Sequence, residues 1–319
     1  MTQQAVRVEV AGLSKRFGSV QAVHALSFAA EPGRVTGFLG PNGSGKTTTL
    51  SMVLGLTRPD SGTATIGGAP YASLERPALT VGASLSADFH PAHTGRAHLD
   101  IVRRAIGVPK RTVDEKLELV GLADAADRKT GGYSLGMRQR LALAAALLGD
   151  PGVILLDEPI NGLDPEGIRW IRLLLKHLAS EGKTVLLSSH LLSEVQQTVD
   201  DVVVIRRGEL AFAGTLDELQ RGTGERTVLV GVAHRDASDQ PTLAHALQAA
   251  GAQVHGARGS TMRITGLDPA AVGIVALEAA IPLSHLSVEE SELEQSFLEL
   301  IEDAGSQPPA GPAAEGGAA

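Results

Sequence analysis

The sequence contains no cysteine, which excludes disulfides and cysteine-ligated metals and is compatible with a reducing compartment. It also lacks any run approaching the ~20 consecutive apolar residues of a membrane-spanning helix. The stretch from Leu141 to Leu148 is far too short and reads as core. Met1-Thr2-Gln3-Gln4 has no basic segment leading into an apolar one, so no secretory signal is expected there. Any service to a membrane is expected from its surface. A basic face is missing too. The formal charge is −8, and residues 219–303 carry 5 Lys/Arg against 12 Asp/Glu. With Glu315 adding one negative charge, residues 1–218 balance at 23 against 23. No basic face large enough to neutralise a nucleic-acid backbone stands out, so no nucleic-acid partner is expected.

What is present is enough for one large and one small domain. The 319 residues are 43% hydrophobic and 20% charged, an ordinary globular balance. Within 1–218, Val35–Leu39, Val153–Leu156, Thr184–Leu187 and Val202–Ile205 read as strands buried on both faces, separated by helical patterns. That is the signature of a mainly parallel α/β sheet. Residues 77–150 show no comparable strand and read as a helical subdomain inserted between two core strands. A linker is expected at 219–226, around Arg221-Gly222-Thr223-Gly224. Residues 227–303 follow in the order βαββαβ, suggesting a small ferredoxin-like α+β domain. A last helix puts Leu293, Phe297, Leu300 and Ile301 on one face. The Gly-, Ala- and Pro-rich tail 304–319 is expected to be disordered.

Gly40-Pro41-Asn42-Gly43-Ser44-Gly45-Lys46-Thr47 matches G-x-x-x-x-G-K-[ST] in full, after a strand and before a helix. The glycines let backbone N–H groups curl around a β-phosphate, and the following helix aims its positive dipole end there. Lys46 would neutralise β- and γ-oxygens. Thr47 would ligate Mg²⁺, and Thr48 can donate near the α-phosphate. The signal is strong for a nucleoside triphosphate but does not select a kind of NTPase. The run Val153 to Leu156 ends in Asp157-Glu158. Beside a phosphate loop, Asp157 is placed to hold Mg²⁺ through water and Glu158 to polarise an attacking water. His190 ends the next strand. Alone, a strand-end histidine is more often structural; at this spacing it is a candidate to hold the water and Glu158 in register.

Tyr133-Ser134-Leu135-Gly136-Met137-Arg138-Gln139-Arg140 resembles the signature motif of the ABC transporter ATPases, usually LSGGQ before a basic helix. Ser134 and Gly136 match, while Tyr133, Leu135 and Met137 depart. The order of phosphate loop, helical insert, signature and carboxylate pair is also that family's, and the resemblance covers residues 5–218. It implies a P-loop ABC ATPase fold with ATP and Mg²⁺ held between two subunits, Ser134 and the Gly136 N–H binding the γ-phosphate held by the partner. It further implies that Asn161-Gly162-Leu163-Asp164 is the D-loop and that Phe17 stacks on adenine, although a lone Phe is more often core. The Q-loop departs: Val81-Gly82-Ala83-Ser84-Leu85-Ser86 ends in serine where the family has glutamine, and Asp88 is the neighbour able to substitute. His90, His93 and His98 follow without a paired ligand motif. A surface docking a transmembrane partner is the expected reading for them.

The stretch from Tyr133 to Trp170 resembles the ATPases of drug- and antibiotic-export systems. The expectation is therefore an ATPase that dimerises around two Mg-ATP molecules and powers a separately encoded permease, most plausibly an exporter, from the cytoplasmic face of the membrane. Two rivals stay open: a soluble ABC ATPase acting on a ribosome or nucleic-acid complex, and a regulatory module that holds ATP with little turnover. The cargo is not legible, because substrate choice lies chiefly in the membrane subunit.

Overall fold

A computed structural model describes residues 6–221, 227–233, 239–258, 261–288 and 297. They divide into two compact units, one ending at Leu216 and the other starting at Asp217.

The first unit opens with the antiparallel pair β1 (Val8–Phe17) and β2 (Val20–Ala30). Then come β3 (Val35–Leu39), helix α1 (Lys46–Val53) and β4 (Ser61–Ile66), which pairs with β1 to complete a three-stranded antiparallel sheet in the order β2-β1-β4. The run following Gln4 reads as a strand, but its pairing with β2 and β4 into a separate sheet was not foreseen; register shifts after Val10 break the period-2 pattern farther along β1.

A short helix, α2 (Pro77–Thr80), leads into β5 (Val81–Ser84). The helices α3 (Gly95–Ile106), α4 (Arg111–Leu119) and α5 (Leu135–Ala146) precede β6 (Val153–Leu156). The chain continues through α6 (Pro165–Ser180), β7 (Thr184–Ser189), α7 (Leu192–Val195), β8 (Asp201–Arg206) and β9 (Glu209–Thr215). The main sheet runs β5-β6-β7-β3-β8-β9, parallel except for β9. Here β5 corrects the expectation of a strand-free segment at 77–150. Its four residues include Gly82 and Ala83, too short and too small to read as a strand, and a Cβ at Gly82 would lie 2.0 Å from the Ala146 carbonyl oxygen. Close approach to the end of α5 replaces bulk as the reason for the sequence there.

The core of this unit fills the space between its two sheets. Val8, Val10, Leu13, Leu26, Leu155 and Val203 are all buried in it, and Phe28 of β2 stacks on Phe38 of β3 at 5.1 Å between ring centroids. The helices carry a smaller core of their own from Leu99, Val113, Leu117 and Leu141. Tyr133 joins it with its hydroxyl donating to the Ala125 carbonyl at 2.7 Å, and burial pushes that phenol's pKa up.

At the division between the units, Leu216–Arg221 is helical (α8), so the first residues of the expected linker are helix; residues 222–226 lie outside the described ones. The second unit contains β10 (Val228–Val232), α9 (Asp239–Ala249), β11 (Gln253–Arg258), β12 (Thr261–Thr265), α10 (Pro269–Glu278) and β13 (Leu283–Val288). Its antiparallel sheet runs β11-β12-β10-β13. With two helices on one face, this is the ferredoxin-like arrangement. Val228, Val230, Ile264, Leu243, Leu247 and Val272 fill its core. The expected last helix lies outside the described residues apart from Phe297, which is buried.

Candidate functional site

Strand register assembles the site. Leu39 of β3 pairs with Ser189 of β7, and Leu156 of β6 pairs with Leu187 of β7. The residues just beyond these pairs (Gly40, Asp157 and Ser188) therefore converge at the carboxyl ends of adjacent parallel strands, where α/β sheets bind ligands. Backbone bonds fix the loop ends: Gly40 N–H donates to Ser189 O at 3.3 Å, and Asp157 N–H donates to Ser84 O at 2.8 Å.

The phosphate loop runs from Gly40 through Pro41, Asn42, Gly43 and Ser44 to Gly45, which precedes α1 with φ 107°. A Cβ at Gly45 would stand 2.4 Å from the Ala22 carbonyl oxygen, so only glycine lets the loop pass this close to β2. The Lys46 ammonium is folded back under the loop, donating to the carbonyls of Gly40 at 2.7 Å and Pro41 at 3.3 Å, and lies 3.4 Å from Glu158 Oε1. Thr47 Oγ1 donates to Asp157 Oδ2 at 2.6 Å. Thr48 is half-buried in the first turn of α1.

Glu158 is the hinge of the cluster. Its φ of 47° is unusual for a residue with a side chain. Its Oε2 meets His190 Nδ1 at 3.0 Å and accepts from Asn161 Nδ2 at 3.3 Å. The sequence reading missed Ser188. Its buried hydroxyl donates to Asp157 Oδ1 and accepts the Glu158 N–H at 2.9 Å. A signal was available: Ser188 and His190 stand two apart at a strand end, so they share a face.

A second cluster forms around the start of α5. Ser134 caps that helix, its hydroxyl accepting from Met137 N–H at 3.2 Å. Leu135 lies over Gly162, and a Cβ at Gly136 would sit 3.4 Å from Leu163. Asp164 caps α6, accepting from Gly167 N–H at 2.8 Å. Thus Ser134 and Gly136 are gathered with residues 162–163 rather than among the groups that contact Lys46. Phe17 stands at the turn end of the β1–β2 hairpin, paired with Val20 and half exposed, with the Lys15 ammonium 5.3 Å from its ring centroid. Because Ala22 of the same hairpin abuts Gly45, an exposed aromatic ring is presented on an element that touches the phosphate loop.

Ser86 and Asp88 are exposed beyond β5, and no side-chain bond links either to Asp157. The histidines nearby make ring contacts, His90 tilted against His93 at 4.7 Å and His98 edge-to-face with Phe89 at 4.6 Å between centroids. Burial, and then the charge of His93, hold the His98 pKa below the ordinary histidine value.

The arrangement fits an anionic, metal-bearing ligand. Ser44 Oγ is buried inside the loop with no hydrogen-bond partner among the described residues, as expected of a donor reserved for a phosphate oxygen. The Thr47 hydroxyl bonded to Asp157, with Glu158 beside the Lys46 ammonium, makes an oxygen-rich set suited to a hard divalent cation such as Mg²⁺.

Fold and site together define a P-loop nucleoside triphosphatase. The family model of the ABC transporter matches residues 23–161, and a model of a domain of unknown function matches residues 230–294. The bacitracin transport ATP-binding protein BcrA of Bacillus licheniformis is 41% identical over 218 residues, covering 67% of this chain and 71% of the relative. The Nod factor export ATP-binding protein I of Burkholderia lata is 41% identical over 215 residues, covering 65% and 70%. Among solved structures, the ATP-binding subunit of an ABC transporter superposes with a TM-score of 0.61 at 26% identity, covering 67% of this chain and 92% of that one. The chain belongs to the ATP-binding subunits of ABC transporters, and its reaction is ATP hydrolysis. Among the described residues, no helix is long and apolar enough to cross a membrane.

Proposed function

We propose that this subunit works as a head-to-tail homodimer around two Mg-ATP molecules, driving a separately encoded permease from the cytoplasmic face of the membrane. The resemblance to bacitracin-transport and Nod-factor-export subunits favours export of an amphipathic compound. The observation that carries the reading is the cluster in which Ser188 links the bonded pair Thr47 and Asp157 to Glu158, whose carboxylate meets His190 and the Lys46 ammonium.

In this reading the loop residues Gly40 to Thr48 wrap the phosphates with backbone N–H groups and the Ser44 hydroxyl. Phe17 stacks on the adenine. Thr47 and, through water, Asp157 would hold Mg²⁺, which would neutralise charge on the phosphate oxygens. Lys46 leaves its loop carbonyls to pair with phosphate oxygens. Glu158 orients a water and takes its proton, while His190, bonded to the same carboxylate, keeps that oxygen aimed. Ser134 and Gly136 are presented to the nucleotide of the other subunit, and Asp164 fixes the start of α6 beside them.

Turnover of the wild type and of Glu158→Gln tests this. Loss of a positioned general base costs about 10²–10⁴-fold, so the variant should retain nucleotide binding and lose nearly all hydrolysis. Equal rates would remove Glu158 from its role. A wild type without turnover would instead favour the regulatory module. Co-purification separates the remaining rival, since a subunit recovered with ribosomes and not with a membrane protein would refute the transporter reading.

A further inference from the structure

We propose that Ser188 is a positioning residue that locks the two carboxylates of the site into one geometry. The inference rests on the roles given above to Asp157 and Glu158. Ser188 is wholly buried near the end of β7, a strand with every side chain buried, so a hydroxyl there is costly unless both its proton and a lone pair are used. Both are used on the site. The proton goes to Asp157 Oδ1, and the lone pair accepts the Glu158 N–H at 2.9 Å.

The consequences follow from where those two groups lead. Asp157 has one oxygen on Ser188 and the other on Thr47 Oγ1 at 2.6 Å, so its carboxylate plane is held from both sides. Turning that plane breaks at least one of the two bonds. Glu158 holds a left-handed backbone, φ 47°, which side-chain-bearing residues adopt only where the surroundings enforce it. The bond from its N–H to Ser188 is one such constraint, and this backbone aims the Glu158 side chain at Lys46 and His190. One hydroxyl therefore sets both the carboxylate assigned to the metal and the one assigned to the water. Alanine would free Asp157 to rotate and leave a partly buried N–H without its acceptor.

Groups that orient a metal ligand from behind typically change metal affinity or activity by about 10–100-fold when removed. Ser188→Ala should thus raise the Mg²⁺ concentration for half-maximal turnover by about 10-fold or more and lower kcat by a similar factor. Binding of a fluorescent ATP analogue without Mg²⁺ should stay unchanged, while the tightening caused by Mg²⁺ should shrink. Ser188→Thr, which keeps the hydroxyl, should restore the Mg²⁺ dependence. If its extra methyl lowers Tm, the binding measurements on Ser188→Ala decide. Wild-type kcat and Mg²⁺ dependence in Ser188→Ala would overturn the proposal. So would an equal loss of analogue binding with and without Mg²⁺, which marks a merely structural role. Asp157→Asn and Glu158→Gln are run alongside. If both turn over normally, the reading of the site fails and this inference falls with it; if both are inactive while Ser188→Ala is normal, only this inference fails.

Discussion

Gly162 offers a sharp test of how the signature helix is seated. Its φ is 75°, and a Cβ there would stand 2.1 Å from Leu135 Cδ2 and 2.6 Å from Leu135 Cγ. Gly162→Ala therefore meets two costs. An L-residue in left-handed backbone costs about 1–2 kcal/mol. The clash falls on a flexible side chain that is 54% exposed, so Leu135 can swing aside at about 0.5–1.5 kcal/mol of rotamer strain. The sum is about 2–3 kcal/mol of local destabilisation. In a Leu135→Ala background the second cost disappears, because the nearest remaining atom, Leu135 Cβ, is at an ordinary 3.4 Å. Gly162→Ala should then cost only the backbone share, giving a coupling of about 1 kcal/mol between the two positions. The assay is built into the chain. Trp170, the sole tryptophan, lies on α6 just after Gly162, with the Arg140 guanidinium of α5 4.8 Å from its ring centroid. Its fluorescence during urea unfolding reports on the α5–α6 region. Effects that add to within about 0.3–0.5 kcal/mol would refute the contact.

Two further predictions follow from the helical subdomain. Because His98 has a folded-state pKa held below the ordinary value, the unfolded chain takes up its proton first as pH falls. Stability should therefore be undiminished above about pH 6.5 and decline below it until the folded-state pKa is reached. His98→Leu should flatten that decline in Tm measured between pH 5 and 8, and an unchanged slope would refute the burial argument. Ser134→Ala removes the acceptor for Met137 N–H and should destabilise α5 by about 1 kcal/mol. Ser134→Thr should restore that stability in urea unfolding, which separates the cap from any role of Ser134 in turnover.

How much of this was readable in advance depends on where the information sits. The four strands read from sequence are continuous apolar runs buried on both faces, so their side chains announce them. Strand β5 is decided by Gly82 approaching a helix end and leaves no hydrophobic pattern, while β1 starts on the alternation Val8-Glu9-Val10 and then bends its register three times. The phosphate loop was legible because its chemistry is contiguous, a strand, a glycine-rich turn and a helix start in one stretch. Ser188 was not. Its role exists only once Leu156 pairs with Leu187 and brings it beside Asp157, 31 residues away. Sequence motifs name the groups that meet a ligand, while the groups that aim them are supplied by strand register.

The same reasoning bears on Ser86, where the family's glutamine is missing. A side chain is lost there, but the loop remains tied at both ends by bonds that do not involve residue 86. At its start, Ser84 O accepts from Asp157 N–H at 2.8 Å, which joins β5 to the carboxylate assigned to the metal. Farther on, the His90 carbonyl accepts from Thr130 Oγ1 at 2.9 Å, and the His93 carbonyl accepts from Thr130 N–H at 2.8 Å. Gly131 N–H donates to Pro91 O at 3.1 Å. Thr130 and Gly131 lie just ahead of Ser134, the cap of the signature helix. The segment 85–89 thus spans from Asp157 to the approach of Ser134 on backbone carbonyls, which no side-chain substitution at Ser86 removes. These bonds tie the loop to Asp157 on one side and to the residues ahead of Ser134 on the other without using the side chain at residue 86.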